Sequence, residues 1–174
     1  MRKHNGMRPQ DIVVLLKQIS FRDKKWTFAE IAHALQISET EVSFAMERNK
    51  LAGLVNPAKN KVNKLALREF LIYGIKYAFP PQVGHSARGI ATAHSAPPIN
   101  QYIAEGNEFY VWSYYKGTKR GNTLVPLYDK IPKIVGNQPD LYELLTIVDT
   151  LRIGKKREVE IAINELDKRL SDYE

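Results

Sequence analysis

Between residues 80 and 100 the chain reads PPQVGHSARGIATAHSAPPIN, with two histidines, His85 and His94, each followed by a serine. A histidine beside a hydroxyl can act as general base to a nucleophile, and Arg88 between them can clamp a phosphate or an oxyanion. A metal would need two further ligands, and this segment holds no carboxylate. The competing reading is an ordered strap across the domain, with Arg88 bonded to backbone carbonyls. His85, Arg88, His94 and Ser95 are therefore carried forward as a candidate ligand or anion loop. No catalytic residue, metal or cofactor is assigned, and the chain is not read as an enzyme.

Charge supplies the second chemistry. Residues 1–79 hold fourteen Lys and Arg against seven Asp and Glu, whereas residues 80–174 hold twelve of each, so the net charge of +7 lies in the first half. A basic balance localised in this way favours a polyanionic partner. The absence of cysteine excludes disulfides, zinc fingers and thiol catalysis, and fits a reducing cytoplasm. No apolar run approaches the roughly 20 residues that span a bilayer, so no membrane partner is expected. The start, MRKHNGMRPQDIVVLL, has only five consecutive apolar residues between Asp11 and Lys17. That is short of the roughly 7–15 of a signal-peptide core, and a flexible tail before a helix is expected instead.

The elements that must position this charge are marked by two helix starts of the same form, Thr27-Phe28-Ala29-Glu30 and Ser38-Glu39-Thr40-Glu41. In each, a hydroxyl can accept from the third helical N–H while a glutamate reaches back to the cap residue. A helix from Pro9 carries Ile12, Leu15, Leu16 and Ile19 on one stripe. After the polar connection Phe21–Lys25, a second helix runs over Phe28–Leu35, with Gln36-Ile37 as the turn. A third helix follows Ser38, burying Val42, Ala45, Met46 and Asn49, and Gly53 ends it. Leu54–Val62 has apolar ends around a lysine-bearing turn, and a closing helix spans residues 64–77.

Helix, helix-turn-helix, wing and closing helix together resemble the winged-helix superfamily, and within it small bacterial regulators of the MarR type. The resemblance covers residues 8–62 and rests most specifically on the phrase from Ile31 to Val55, with its LAGLV ending. It implies that the third helix enters the major groove of double-stranded DNA and presents Ser38, Thr40, Ser43, Phe44, Glu47 and Arg48. Arg48 would pair with guanine or phosphate, Phe44 would meet a thymine methyl, and Glu47 would accept from cytosine. Lys50, Lys59, Lys61 and Lys64 would contact phosphates, joined by Lys24 and Lys25. The resemblance also implies a bacterial, cytoplasmic homodimer. Glu39, Glu41 and Glu47 depart from the usual basic recognition helix, which keeps open a reading in which this helix contacts a protein, as in an antitoxin-like module.

In the second half, Glu108–Tyr115 reads as a strand, Lys116–Asn122 as a basic turn and Thr123–Tyr128 as a return strand at an edge. Tyr110, Trp112 and Tyr114 share a face, either as core or as a base-stacking row with Lys119 and Arg120 beside it. A helix from Pro139 carries Leu141, Leu144, Leu145, Val148 and Leu151. After Gly154, Lys155-Lys156-Arg157 opens a second helical stripe, either separate or kinked, that serves the core or a dimer seam. The expected fold is thus mainly α with a small β component. It comprises a winged helix-turn-helix over 1–79, a Pro/Gly/Ala/Ser-rich loop over 80–107, and a β-hairpin with two helices over 108–174 for dimerisation or ligand binding. The expected function is that of a sequence-specific DNA-binding transcriptional regulator.

Overall fold

A computed structural model describes residues 6–104, 106 and 108–171. The fold is mainly helical with a small sheet component, and none of the described helices is long and apolar enough to cross a membrane. The N-terminal elements are α1 (Pro9–Ser20), α2 (Phe28–Leu35) and α3 (Glu39–Leu51), followed by the short antiparallel strands β1 (Val55–Asn56) and β2 (Lys61–Val62). Thr27 and Glu30 form the expected reciprocal cap, with Thr27 Oγ1 accepting from the Glu30 amide at 3.2 Å and Glu30 Oε2 from the Thr27 amide at 2.7 Å. The second start is half of that pattern. Ser38 Oγ accepts from the Glu41 amide at 3.1 Å, but Glu41 does not reach back, so its charge is not tied up in a cap. Val42, Ala45, Met46 and Asn49 are buried as the spacing predicts, and Gly53 takes a φ of +76° on the way into β1. Pro57 lies in the hairpin turn, outside both strands, so it removes no ladder bond.

The closing helix is broken in two: α4 (Lys64–Tyr73) and α5 (Ile75–Ala78) meet at Gly74. Much of the expected loop, over residues 83–101, is ordered into regular elements. Val83–Ala91 forms β3, the longest strand, and short 3₁₀ turns follow it. The small residues that suggested a loop are needed for close packing. A Cβ on Gly89 would lie 2.0 Å from the Trp112 carbonyl oxygen, and one on Gly117 would lie 2.2 Å from that of Gly89. Nor do β4 (Tyr110–Ser113) and β5 (Lys119–Leu124) form a hairpin. Both pair antiparallel with β3 and therefore run parallel to each other, closing a three-stranded unit in which much of the expected basic turn is strand.

After the short α6 (Ile131–Ile134), α7 (Pro139–Ile153) and α8 (Lys156–Ser171) are separate helices, because Gly154 is extended and stops the first. The α8 stripe of Ala162, Leu166 and Leu170 is buried in one hydrophobic core that also contains Ile12, Leu15, Ile31 and Met46. The two halves therefore share a core, and the C-terminal part is no appendage to the first 79 residues. It also finishes α2, whose last carbonyls would otherwise lack partners. Gln138 Nε2 donates to Ala34 O at 3.0 Å, Tyr128 Oη to Leu35 O at 2.9 Å and Lys130 Nζ to Gln36 O at 2.6 Å. The turn into α3 is thus fixed from outside the first half.

Candidate nucleic-acid interface

On α3 the residues facing outward are Ser38, Glu39, Thr40, Phe44 and Glu47, with Ser43 half-buried. Arg48 is not among them. It donates from Nε and Nη2 to the two carboxylate oxygens of Asp11, each at 2.7 Å. Asp11 is fully buried and the Arg48 side chain is 11% exposed. The bonds that Arg48 donates to Asp11 raise the guanidinium pKa still further, so the charge is permanent. Arg48 therefore holds α3 to α1 and is withdrawn from the outer face of that helix. The adjacent Asn49 strengthens the same junction by donating to the Asp11 carbonyl at 3.1 Å. Lys50 is paired with Glu47 at 2.8 Å, which neutralises both on the surface. The outer face of α3 is consequently polar to acidic, with Phe44 53% exposed at its middle.

The unspent positive charge lies on the neighbouring segments. Lys59 and Lys61 are exposed on the hairpin, and Lys24 and Lys25 on the α1–α2 connection. Gln18, at the end of α1, brings these segments together. Its Nε2 donates to Asn60 O at 3.0 Å, and its Oε1 accepts from the Val62 amide at 2.7 Å, so one buried side chain clamps the hairpin from both sides. Asn56 shapes the turn, its Oδ1 accepting from the amides of Ala58 at 3.0 Å and Lys59 at 3.3 Å. The result is a cleft of about 640 Å³ lined by Lys24, Lys25, Lys59 and Lys61, with Trp26 and Phe28 in its wall. Lys64 also borders it, but its ammonium donates to the Leu170 carbonyl at 3.0 Å and ties α4 to the end of α8.

The four residues expected to form an anion loop do not assemble. His85 and Arg88 are exposed on β3, whereas His94 and Ser95 lie half-buried in the 3₁₀ turn beyond its end. Ser95 Oγ accepts from the Tyr110 amide at 2.9 Å. His94 Nε2 lies 3.2 Å from the Glu108 carbonyl, and its ring meets Tyr110 edge-on. Among the described residues the hydrogen bonds of His94 and Ser95 therefore go to different backbone groups and not to each other. Arg88 instead stands opposite Arg120 across β3 and β5, a like-charged pair beside Lys119 that forms a second exposed basic surface.

Trp112 and Tyr110 are buried rather than available for stacking. Trp112 Nε1 donates to Asp149 Oδ2 at 2.8 Å, where Thr92 Oγ1 also donates at 2.8 Å. Arg152 donates to Asp149 Oδ1 at 2.8 Å and to the carbonyls of Phe79 and Pro80 at 2.9 and 3.2 Å. Burial pushes the Asp149 carboxyl up, while Arg152, Thr92 and Trp112 pull it back. Through these bonds the cluster joins α7 to β4, to Thr92 and to the end of the first half. Gln18, Asp11, Asp149 and Arg152 were not singled out from the sequence. Their one visible signal is polarity within apolar helical stripes.

No protein-family model, curated protein or solved structure matches the chain.

Proposed function

We propose that residues 6–79 form a winged helix-turn-helix and that the protein is a sequence-specific, double-stranded DNA-binding regulator. The observation that carries this is the set of four lysines, Lys24, Lys25, Lys59 and Lys61, that have no ion-pair partner among the described residues and are gathered on one rim by Gln18. These side chains position the protein on phosphates, while α3 offers Ser38, Thr40, Ser43, Phe44 and Glu47 to base edges. Arg48, Lys50 and Lys64 have other partners and are left out of the contact set. Occupancy of a site then blocks or recruits polymerase.

The test is selection from random duplex DNA at moderate salt, followed by a salt titration on the selected sequence. Each lysine that neutralises a phosphate contributes about 0.9 to the slope of log affinity against log salt, so four give a slope of roughly −3.6. Charge reversal at Lys59 and Lys61 weakens binding to all sequences and lowers the slope by about 1.8. No selected sequence, or a salt-independent one, defeats the reading.

A second reading has its own observation. With Arg48 turned inward, α3 shows Glu39, Glu47, Phe44 and a 75% exposed Leu51, a surface better suited to protein than to a groove. A stable copurifying partner with no retarded DNA band favours that antitoxin-like interaction module instead.

A further inference from the structure

We propose that the cleft between the α1–α2 connection and the hairpin binds a nucleoside polyphosphate. Its phosphates would lie on Lys24, Lys25, Lys59 and Lys61 and its base against the Trp26–Phe28 wall. The cleft of about 640 Å³ is the size of a small-molecule site, which runs roughly 300–1,000 Å³. Five lysines and Arg22 line it against one carboxylate, Asp23, and four of those lysines, Lys24, Lys25, Lys59 and Lys61, have no carboxylate or side-chain hydrogen-bond partner among the described residues. Charge alone would suit any phosphate. The aromatic wall narrows the choice: Trp26 and Phe28 lie parallel, with centroids 6.2 Å apart and an interplanar angle of 7°, and both border the cleft half-buried. The bases of a duplex are stacked on one another and cannot use that wall, whereas a free nucleotide presents an open π face. The same lysines are the phosphate contacts of the DNA reading above. On that reading, which this part of the proposal rests on, a bound nucleotide neutralises them and displaces the duplex.

The whole chain is titrated with adenosine triphosphate, inorganic triphosphate and adenosine by calorimetry and tryptophan fluorescence. Trp112 is 1% exposed, so a change in emission reports Trp26. Adenosine triphosphate is expected to bind at least about tenfold more tightly than either fragment and to quench emission. The double variant K24A/K61A, altered at two exposed side chains that hold nothing in the fold, is expected to lose this binding. Equal affinity for inorganic triphosphate, or binding indifferent to K24A/K61A, overturns the proposal. So does tighter binding of a single-stranded oligonucleotide, which would assign the cleft to a strand. A labelled duplex separates the two readings. Nucleotide binding without duplex binding leaves the cleft and removes the DNA function, while duplex binding without nucleotide binding does the reverse.

Discussion

Arg48→Ala deletes both hydrogen bonds to Asp11 and leaves that carboxylate at the α1–α3 junction without its counter-ion. Asp11 is fully buried and the Arg48 side chain is 11% exposed, so little solvent compensates. Removing one partner of a buried pair costs about 3–5 kcal/mol. The low end applies here, about 3 kcal/mol, because Asp11 keeps the Arg8 amide at 2.8 Å and the arginine is not wholly dry. Against a total stability of about 5–15 kcal/mol this is a large loss. Urea unfolding followed by far-UV circular dichroism measures it. D11A/R48A removes both charges and is expected to cost about 2 kcal/mol less than the sum of the single variants. Duplex affinity, measured where the variant is still folded, is expected to stay within about twofold, because one bidentate base contact would be worth 1–3 kcal/mol and this residue makes none. If R48A unfolds within about 0.5 kcal/mol of the wild type and loses tenfold or more in affinity, Arg48 reads DNA and the Asp11 pair is incidental.

Gln18→Ala frees the hairpin from α1: faster hydrogen exchange at the Val62 amide and a loss of about 1–2 kcal/mol are expected, and unchanged exchange counts against the clamp. Asp149→Ala strands Thr92, Trp112 and Arg152 in the core and is expected to cost about 3–5 kcal/mol in the same urea assay; a loss below 1 kcal/mol contradicts the network. Glu165 links α8 to residue 102; burial opposes its ionisation, yet hydrogen bonds from Lys168, Arg169 and Tyr102 hold its carboxyl at about 2, below the ordinary 4.5. Its folded pKa is depressed, so its contribution is present above about pH 4.5 and fades as pH falls towards 2, amounting to about 2–3 kcal/mol with allowance for the exposed Lys168. E165Q is expected to flatten the stability loss between pH 5 and 2, and an unchanged slope refutes the assignment.

Local grammar was legible in the first half. Thr27, Ser38 and Gly53 mark ends that the backbone itself requires, and the apolar spacing of α3 picks out its four buried residues. Between residues 80 and 124 the same grammar misled. Gly89 looks like a loop residue because composition does not distinguish a mobile segment from two backbones in contact. The pairing of β4 and β5 was equally hidden, since their parallel arrangement depends on a third strand more than 20 residues upstream of one of them.

The candidate site divides in the same way. The amino-acid sequence by itself determined the capped helices, the basic first half and the lysines of the hairpin, because these depend on near neighbours and on charge that stays in water. Only the tertiary structure decided which of those charges are available. Arg48 and Lys64 are taken up by Asp11 and Leu170, 37 and 106 residues away, while Gln18 brings the hairpin lysines to the α1–α2 connection. A side chain's type shows what it can bind; its nearest partner, set by packing between distant segments, fixes what it does.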